Sequence, residues 1–224
     1  MIREMLMSRH GSVKVLEALE LSMSLREYAR WVVPEAETAR YERLIKIMGI
    51  HYLKSDYLLT SIVSNANHHE MVHEYMRKTN ADRGDSYRIL YLSNKDPKSL
   101  LFAEGDHRAM GRLLGYPECC INSFINHHET NHKTILYPGS VGMHQKIFLK
   151  SAMMHHPYYY NILRRHKGLS FFSHIPCSAQ CSKSHGIGRM RSMIIEDYDY
   201  ELYDYIRRGL TGYEYIMGKK LSFY

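Results

Sequence analysis

The sequence predicts a single mixed domain, α/β or α+β, with helices packed on a small sheet. Three observations predict it. Leu16, Leu19 and Met23 recur at helical spacing near the N-terminus. Tyr87 to Leu92 (Tyr-Arg-Ile-Leu-Tyr-Leu) reads as the best strand in the chain. Prolines and glycines divide the remainder into short elements, and no stretch has the composition of a linker. At 224 residues, 45% hydrophobic and 24% charged, the chain lies in the globular range and is long enough to build a core without staples.

The elements follow in order. Ser12 to Trp31 reads as an amphipathic helix. Pro34 suits the first turn of a second helix, which runs to Met48 and is stopped by Gly49. Ile50 to Val63 looks extended, as two short strands around Lys54-Ser55-Asp56. Asn65 or Asn67 is placed to cap a helix through Met76, and 79–84 reads as a loop. Asp106 caps a short helix ending at Gly115, and Pro117 opens another at once. Beyond it, Gln145 to Met154 and Tyr158 to His166 read as helices and Leu169 to His174 as a strand. Pro176 precedes a further helical start, and Arg191 to Leu210 reads as one longer helix. Tyr213 to Met217 and Leu221 to Tyr224 look like a closing hairpin. This reading places an N-terminal helical layer at 1–48 and an α/β domain at 49–224.

Charge and hydropathy remove whole classes. With 30 Lys and Arg against 23 Asp and Glu the net charge is +7, which attracts nucleic acid only if concentrated on one face. The mean hydropathy of −0.41 and the short apolar runs exclude a transmembrane helix. Glu4, Glu17, Glu20 and Glu27 interrupt any apolar stretch that a signal peptide would need. The expected location is the cytoplasm, with no membrane partner.

All four cysteines fall in two segments, Gly115-Tyr116-Pro117-Glu118-Cys119-Cys120 and Pro176-Cys177-Ser178-Ala179-Gln180-Cys181. In each, a proline sets up a helix start and the thiols occupy the first turn. Backbone N–H groups there lack helical partners and the helix dipole favours negative charge, so thiolate is stabilised over thiol. Cys177 and Cys181 share one face of a helix. Cys119 and Cys120 diverge by about 100°, which is awkward for one ion and natural for two irons of a cluster. Free cysteine often simply packs in a core, yet Glu118, Ser178, Gln180 and Ser182 are poor company for packing. Cys119, Cys120, Cys177 and Cys181 are therefore expected to converge on an iron–sulfur cluster or zinc. Their sulfurs should span about 7 Å around a four-iron cluster, or stand nearer 4 Å around zinc. His174 and His185 flank the second pair and are candidates to support the ligands or replace one.

Gly111-Arg112-Leu113-Leu114-Gly115-Tyr116-Pro117-Glu118-Cys119-Cys120, with Phe124 following, resembles the signature of a mainly archaeal family, domain of unknown function 483. His174-Ile175-Pro176-Cys177-Ser178-Ala179-Gln180-Cys181-Ser182 is similar to that family's second block. The resemblance implies an archaeal-type cytoplasmic protein whose cysteines matter. It brings no activity with it.

Two further patterns carry less. His69-Glu70-Met71-Val72-His73 and His128-Glu129-Thr130-Asn131-His132 both fit H-E-x-x-H, which on a helix offers two metal ligands and a general base. With 15 histidines such matches also arise by chance. Glu74 follows the first copy where an uncharged residue is usual, and Glu104 is no more than a conceivable third ligand. Arg164, Arg165, Arg189 and Arg191 lie in a basic C-terminal half with interleaved aromatics, which makes them candidates for contact with RNA. Three readings compete: a four-cysteine metal protein, a thiol enzyme using Cys119 or Cys120 without metal, and an RNA-binding module stapled by zinc. Substrate, reaction and oligomeric state have no signature in the chain.

Overall fold

The computed structural model describes residues 11–63, 73–78, 85–132, 170–171, 173–178 and 180–211. The chain is a mixed α/β protein with a small sheet, and it divides into two compact units: Glu17–Gly115, and Met1–Leu16 together with Tyr116–Tyr224. The expected boundary after Met48 falls inside the first of these, where Met48 caps a helix.

Helix α1 (Gly11–Ser22) stops well short of Trp31. Ser24 takes a left-handed φ of 56°. Its N–H bonds the Leu21 carbonyl at 3.1 Å while the Leu25 N–H reaches back to Glu20 at 2.9 Å. That is the hydrogen-bond pattern with which glycine usually ends helices. Here serine holds the position, so the stop carries no glycine to announce it. Past it, the expected helix gives way to strand β1 (Tyr28–Pro34), which buries Ala29, Trp31 and Val33 in strict alternation.

The second helix begins later than Pro34. A 3-10 turn over Glu35–Glu37 comes first, then α2 (Thr38–Ile47), which Gly49 (φ 68°) ends by the same device, with Ile50 N–H on the Ile45 carbonyl at 3.0 Å. Tyr41 of α2 meets Trp31 of β1 edge-on, ring centroids 5.9 Å apart.

Strands β2 (His51–Lys54), β3 (Leu59–Val63), β4 (His73–Arg77) and β5 (Ser86–Ser93) complete a five-stranded sheet of order β1-β5-β3-β4, with β2 also on β5. Every pairing is antiparallel. β2 and β3 do not pair with each other; both lie along one edge of β5, interrupted around Ser55. There the Ser55 N–H bonds the Ile89 carbonyl at 2.9 Å and its Oγ accepts the Ile89 N–H at 3.2 Å. The side chain thus satisfies a backbone donor that the interrupted ladder leaves open. β4 stands where a helix through Met76 was expected; residues 64–72 lie outside the described set.

The sheet core is the fully buried run Ile89, Leu90, Tyr91, Leu92 of the central strand, with Trp31, Val33, Leu44 and Ile45 around it. A charged knot is buried with it. Glu17 accepts from Arg26 at 2.7 Å and from the Trp31 indole at 2.9 Å, and Arg26 also donates to the Leu114 carbonyl at 2.7 Å. Short helices α3 (Lys98–Phe102), not anticipated, and α4 (His107–Leu113) follow. Asp106 caps α4 as expected, accepting from the Arg108 and Ala109 N–H groups.

The other unit carries α5 (Glu118–His132), α6 (Ser182–Tyr198) and α7 (Tyr200–Thr211). The single helix expected from Arg191 to Leu210 is broken at Asp199, whose extended backbone ends α6 and whose carboxylate accepts the Leu202 N–H at 3.0 Å to start α7. Phe171 packs on Tyr203, centroids 6.4 Å apart, above buried Leu202, Ile206 and Leu210. The strand expected over Leu169 to His174 is irregular chain wherever it is described. The helices expected at 145–154 and 158–166 and the closing hairpin lie outside the described residues. Among the described residues, no helix is long and apolar enough to cross a membrane.

Candidate metal centre

The chain builds the first arm of the site at a helix start. After Gly115 (φ 70°) ends α4, the Pro117 carbonyl accepts the N–H groups of Cys120 at 2.8 Å and Ile121 at 3.0 Å. Cys119 and Cys120 therefore sit in the first turn of α5. The second arm differs from expectation. Pro176 does not open a helix: Cys177 lies in irregular chain, the Cys181 N–H closes a turn on the Ser178 carbonyl at 3.2 Å, and α6 begins only after Cys181, its capping residue. Cys177 and Cys181 thus meet across a turn and not along a helical face.

The arms converge. Cys119 Sγ lies 3.9 Å from Cys120 Sγ and 3.8 Å from Cys181 Sγ, and Cys120 Sγ lies 3.7 Å from Cys181 Sγ. All four sulfurs, Cys177 included, fall within 4.8 Å of one another, close enough to hold a metal ion. The four are free thiols. The expected divergence of Cys119 and Cys120 does not occur. Side chains in a first turn lean back beyond the helix end, where adjacent residues can reach one point.

Burial and the closeness of the sulfurs perturb three of the thiols. Cys120 and Cys181 are 2% and 7% exposed, while Cys119 and Cys177 are half-buried. Burial raises the Cys120 thiol far above its ordinary value, and the neighbouring Cys181 and Cys177 add to it, against hydrogen bonds from Ser184 and the Cys177 N–H. Burial and then the Cys181 and Cys119 thiols push Cys177 up to about 11. Cys181 goes the other way: burial opposes ionisation, but hydrogen bonding from Ser184, Cys177 and Cys120 brings it down to about 7. Of these three thiols Cys181 is the first to ionise, while burial holds Cys120 and Cys177 toward the protonated form. Like charges at such separations ionise together only when a cation joins them.

Behind the sulfurs stands a polar chain. Ser184 Oγ lies 3.4 Å from Cys120 Sγ and 2.8 Å from His174 Nε2, and the Cys177 N–H donates to Cys120 Sγ at 3.3 Å. His174 is 5% exposed and Ser184 is fully buried; the His174 ring lies against Tyr116, centroids 5.1 Å apart. His174 thus stands one residue behind the thiols. His185 is half-buried on the first turn of α6, its N–H on the Cys181 carbonyl at 2.9 Å. Ser184 was missed in the sequence, although its place three residues after Cys181 is where a side chain faces back over a helix cap.

The other candidates separate from this site. Arg191, expected on a basic surface, is 5% exposed and donates to the Phe171 carbonyl at 3.2 Å, so it serves the interior. Arg189 is exposed; Arg164 and Arg165 lie outside the described residues. Arg207 and Arg208, part of the same bias, both pair with Asp204. His73 opens a strand, so the first H-E-x-x-H has no helical face at its second histidine, and His69 and Glu70 lie outside the described residues. Glu104 is engaged by Tyr91 at 2.7 Å and by Arg30 at 3.0 Å. The backbone of the second H-E-x-x-H lies in α5, and the side chains of His128, Glu129 and His132 are outside the described set.

Four thiols brought to one point by two distant segments define a protein with a four-cysteine cluster able to chelate metal. The chain belongs to the DUF483 family, described as a protein of unknown function, whose model matches residues 96–207, half of the chain and all four cysteines. No curated protein and no solved structure matches it.

Proposed function

We propose that this chain is a metalloprotein in which Cys119, Cys120, Cys177 and Cys181 hold one ion as a closed tetrathiolate centre, zinc in preference to a cluster. The sulfur spacing carries the reading. Four sulfurs at about 2.3 Å from one ion in a tetrahedron stand about 3.8 Å apart, and three of the pairs lie at 3.7 to 3.9 Å. A four-iron cluster needs ligands spread over about 7 Å, wider than the 4.8 Å within which all four sulfurs fall. Cys119 and Cys120, awkward partners for one ion on a straight helix, bring their sulfurs to 3.9 Å, which supports the single-ion reading.

Four protein ligands fill a tetrahedral ion and leave no position for water or substrate, which is the pattern of structural zinc. The role of the ion is then to fasten the start of α5 to the start of α6. A reducing compartment such as the cytoplasm belongs to the same reading, since oxidising surroundings would drive thiols this close toward disulfides. Metal and acid-labile sulfide analysis of protein purified without oxygen tests it. One zinc per chain without sulfide is expected, with most of it lost in both Cys120→Ser and Cys177→Ser. Iron with stoichiometric sulfide overturns the single-ion centre. Protein that neither carries nor takes up metal overturns the metal reading and leaves a thiol enzyme in front.

A further inference from the structure

The hydroxyl of Ser184 lies between Cys120 Sγ at 3.4 Å and His174 Nε2 at 2.8 Å, in a place with no solvent exposure. A serine hydroxyl has one hydrogen to give and accepts on its oxygen. Sulfurs that hold a metal are thiolates and can only accept. The Ser184 backbone N–H serves the Cys181 sulfur, and one arrangement then satisfies the neighbours on either side of the hydroxyl: Ser184 gives its hydrogen to Cys120 Sγ, and His174 gives its Nε2 hydrogen to Ser184 Oγ. The Tyr116 ring against the imidazole holds the plane in which that N–H is aimed.

We propose that Ser184, aimed by His174, is the positioning residue of the metal centre, and that its O–H···S bond to Cys120 sets how firmly the centre keeps its ion. The inference rests on the metal reading above. Four thiolates around a divalent ion leave excess negative charge, and Cys120 is the sulfur with least access to water to disperse it, at 2% exposure. Two donors converge on that sulfur, the Cys177 N–H at 3.3 Å and the Ser184 hydroxyl. Hydrogen bonds from a charged acceptor's neighbours are the strong kind, and hydrogen bonds to ligand sulfur tune a centre's electronic properties as well as its affinity. His174 Nε2 lies 2.8 Å from Ser184 Oγ, and it acts on the centre through that hydroxyl.

The test uses cobalt(II) as the probe ion in the full chain, since thiolate-to-cobalt charge transfer reports directly on sulfur. In Ser184→Ala the charge-transfer band should move to longer wavelength, because sulfur electrons no longer held by a hydrogen bond are easier to excite. Cobalt affinity should fall by about 10–100-fold. His174→Phe keeps a ring against Tyr116 and should show a smaller shift of the same sign. His174→Gln, which offers an amide N–H at similar reach, should restore the wild-type band. A purely packing role for these residues predicts weaker retention with the band unmoved, and that result overturns the proposal. Wild-type affinity and an unmoved band in Ser184→Ala overturn it equally, while wild type that takes up no cobalt brings down the metal reading itself. Should Ser184→Ala fail to fold, the contrast between His174→Phe and His174→Gln decides by the same band.

Discussion

In the unit from Glu17 to Gly115, the central strand buries Ile89, Leu90, Tyr91 and Leu92 in succession, and Trp31, Val33, Leu44 and Ile45 close around them. Around the thiols in the other unit the burial is of another kind: Cys120, Cys181, His174 and Ser184 lie inside and in contact with one another. Excluding water from a large apolar side chain contributes about 1.5–3 kcal/mol and asks little of geometry. Burying hydroxyl, imidazole and thiolate groups contributes only if each finds a partner in the right direction. The apolar core along β5 is therefore held by area. The thiol unit depends on directed bonds, with metal–sulfur bonds the strongest of them in the reading proposed above.

Metal removal should separate the two most widely. Ligation of structural zinc is worth about 10–16 kcal/mol in small zinc domains, far above any single contact in the sheet unit. Stripping metal with a chelator under reducing conditions should accelerate amide exchange by orders of magnitude through the first turns of α5 and α6. Protection in β1 and β5 should persist. Hydrogen exchange read by mass spectrometry checks this, and equal loss in both regions would erase the distinction.

The sheet unit has one place that resembles the other, and breaking it should cost less. Arg26, with a side chain 7% exposed, faces Glu17 and Glu20, each 4% exposed. Arg26→Met takes away the cation that faces both carboxylates, which should cost about 3–5 kcal/mol. Urea denaturation followed by Trp31 fluorescence measures it, and metal content should stay unchanged.

The smallest effect lies at the surface. The Arg88 guanidinium, hydrogen-bonded to Glu35, holds that carboxyl below its ordinary value of 4.5, against some desolvation. Because the folded value is the lower one, the pair's contribution is complete above the ordinary value and is lost as the pH falls through the lowered one. Glu35 is 39% exposed, so solvent screening keeps the effect below about 1 kcal/mol. Comparing wild type with Glu35→Gln in urea titrations should show a stability gap near neutrality that closes in acid.

These contrasts also explain what could be read without coordinates. Cysteine is scarce and chemically distinctive, and both pairs follow a proline, so the convergence of Cys119, Cys120, Cys177 and Cys181 was legible across a long sequence separation. β5 was legible because its apolar run is continuous. β1 was not, since Leu16, Leu19 and Met23 start a helical period and Ser24 ends it without the glycine that marks the same turn at Gly49. The break at Asp199 was hidden likewise, by tyrosines on either side that suit a helix as well. Ser184 and His174 became significant only through distances, because a serine in a helix and a buried histidine are common and carry no spacing of their own.

The wide separation of the two cysteine arms has a further consequence, for how the chain can change over generations. Cys120 and Cys177 are 57 residues apart, so an ion bound to both closes a loop of that length. Closure entropy grows only as the logarithm of loop length, with a doubling costing about 0.6 kcal/mol. Insertions and deletions between the end of α5 and His174 are therefore nearly free as far as the centre is concerned. The short spans that position the thiols, from Pro117 to Cys120 and from Pro176 to Ser184, have no such latitude: one residue added there rotates a sulfur or the Ser184 hydroxyl out of reach. Length variation in this lineage should collect between the arms and stop abruptly at their edges.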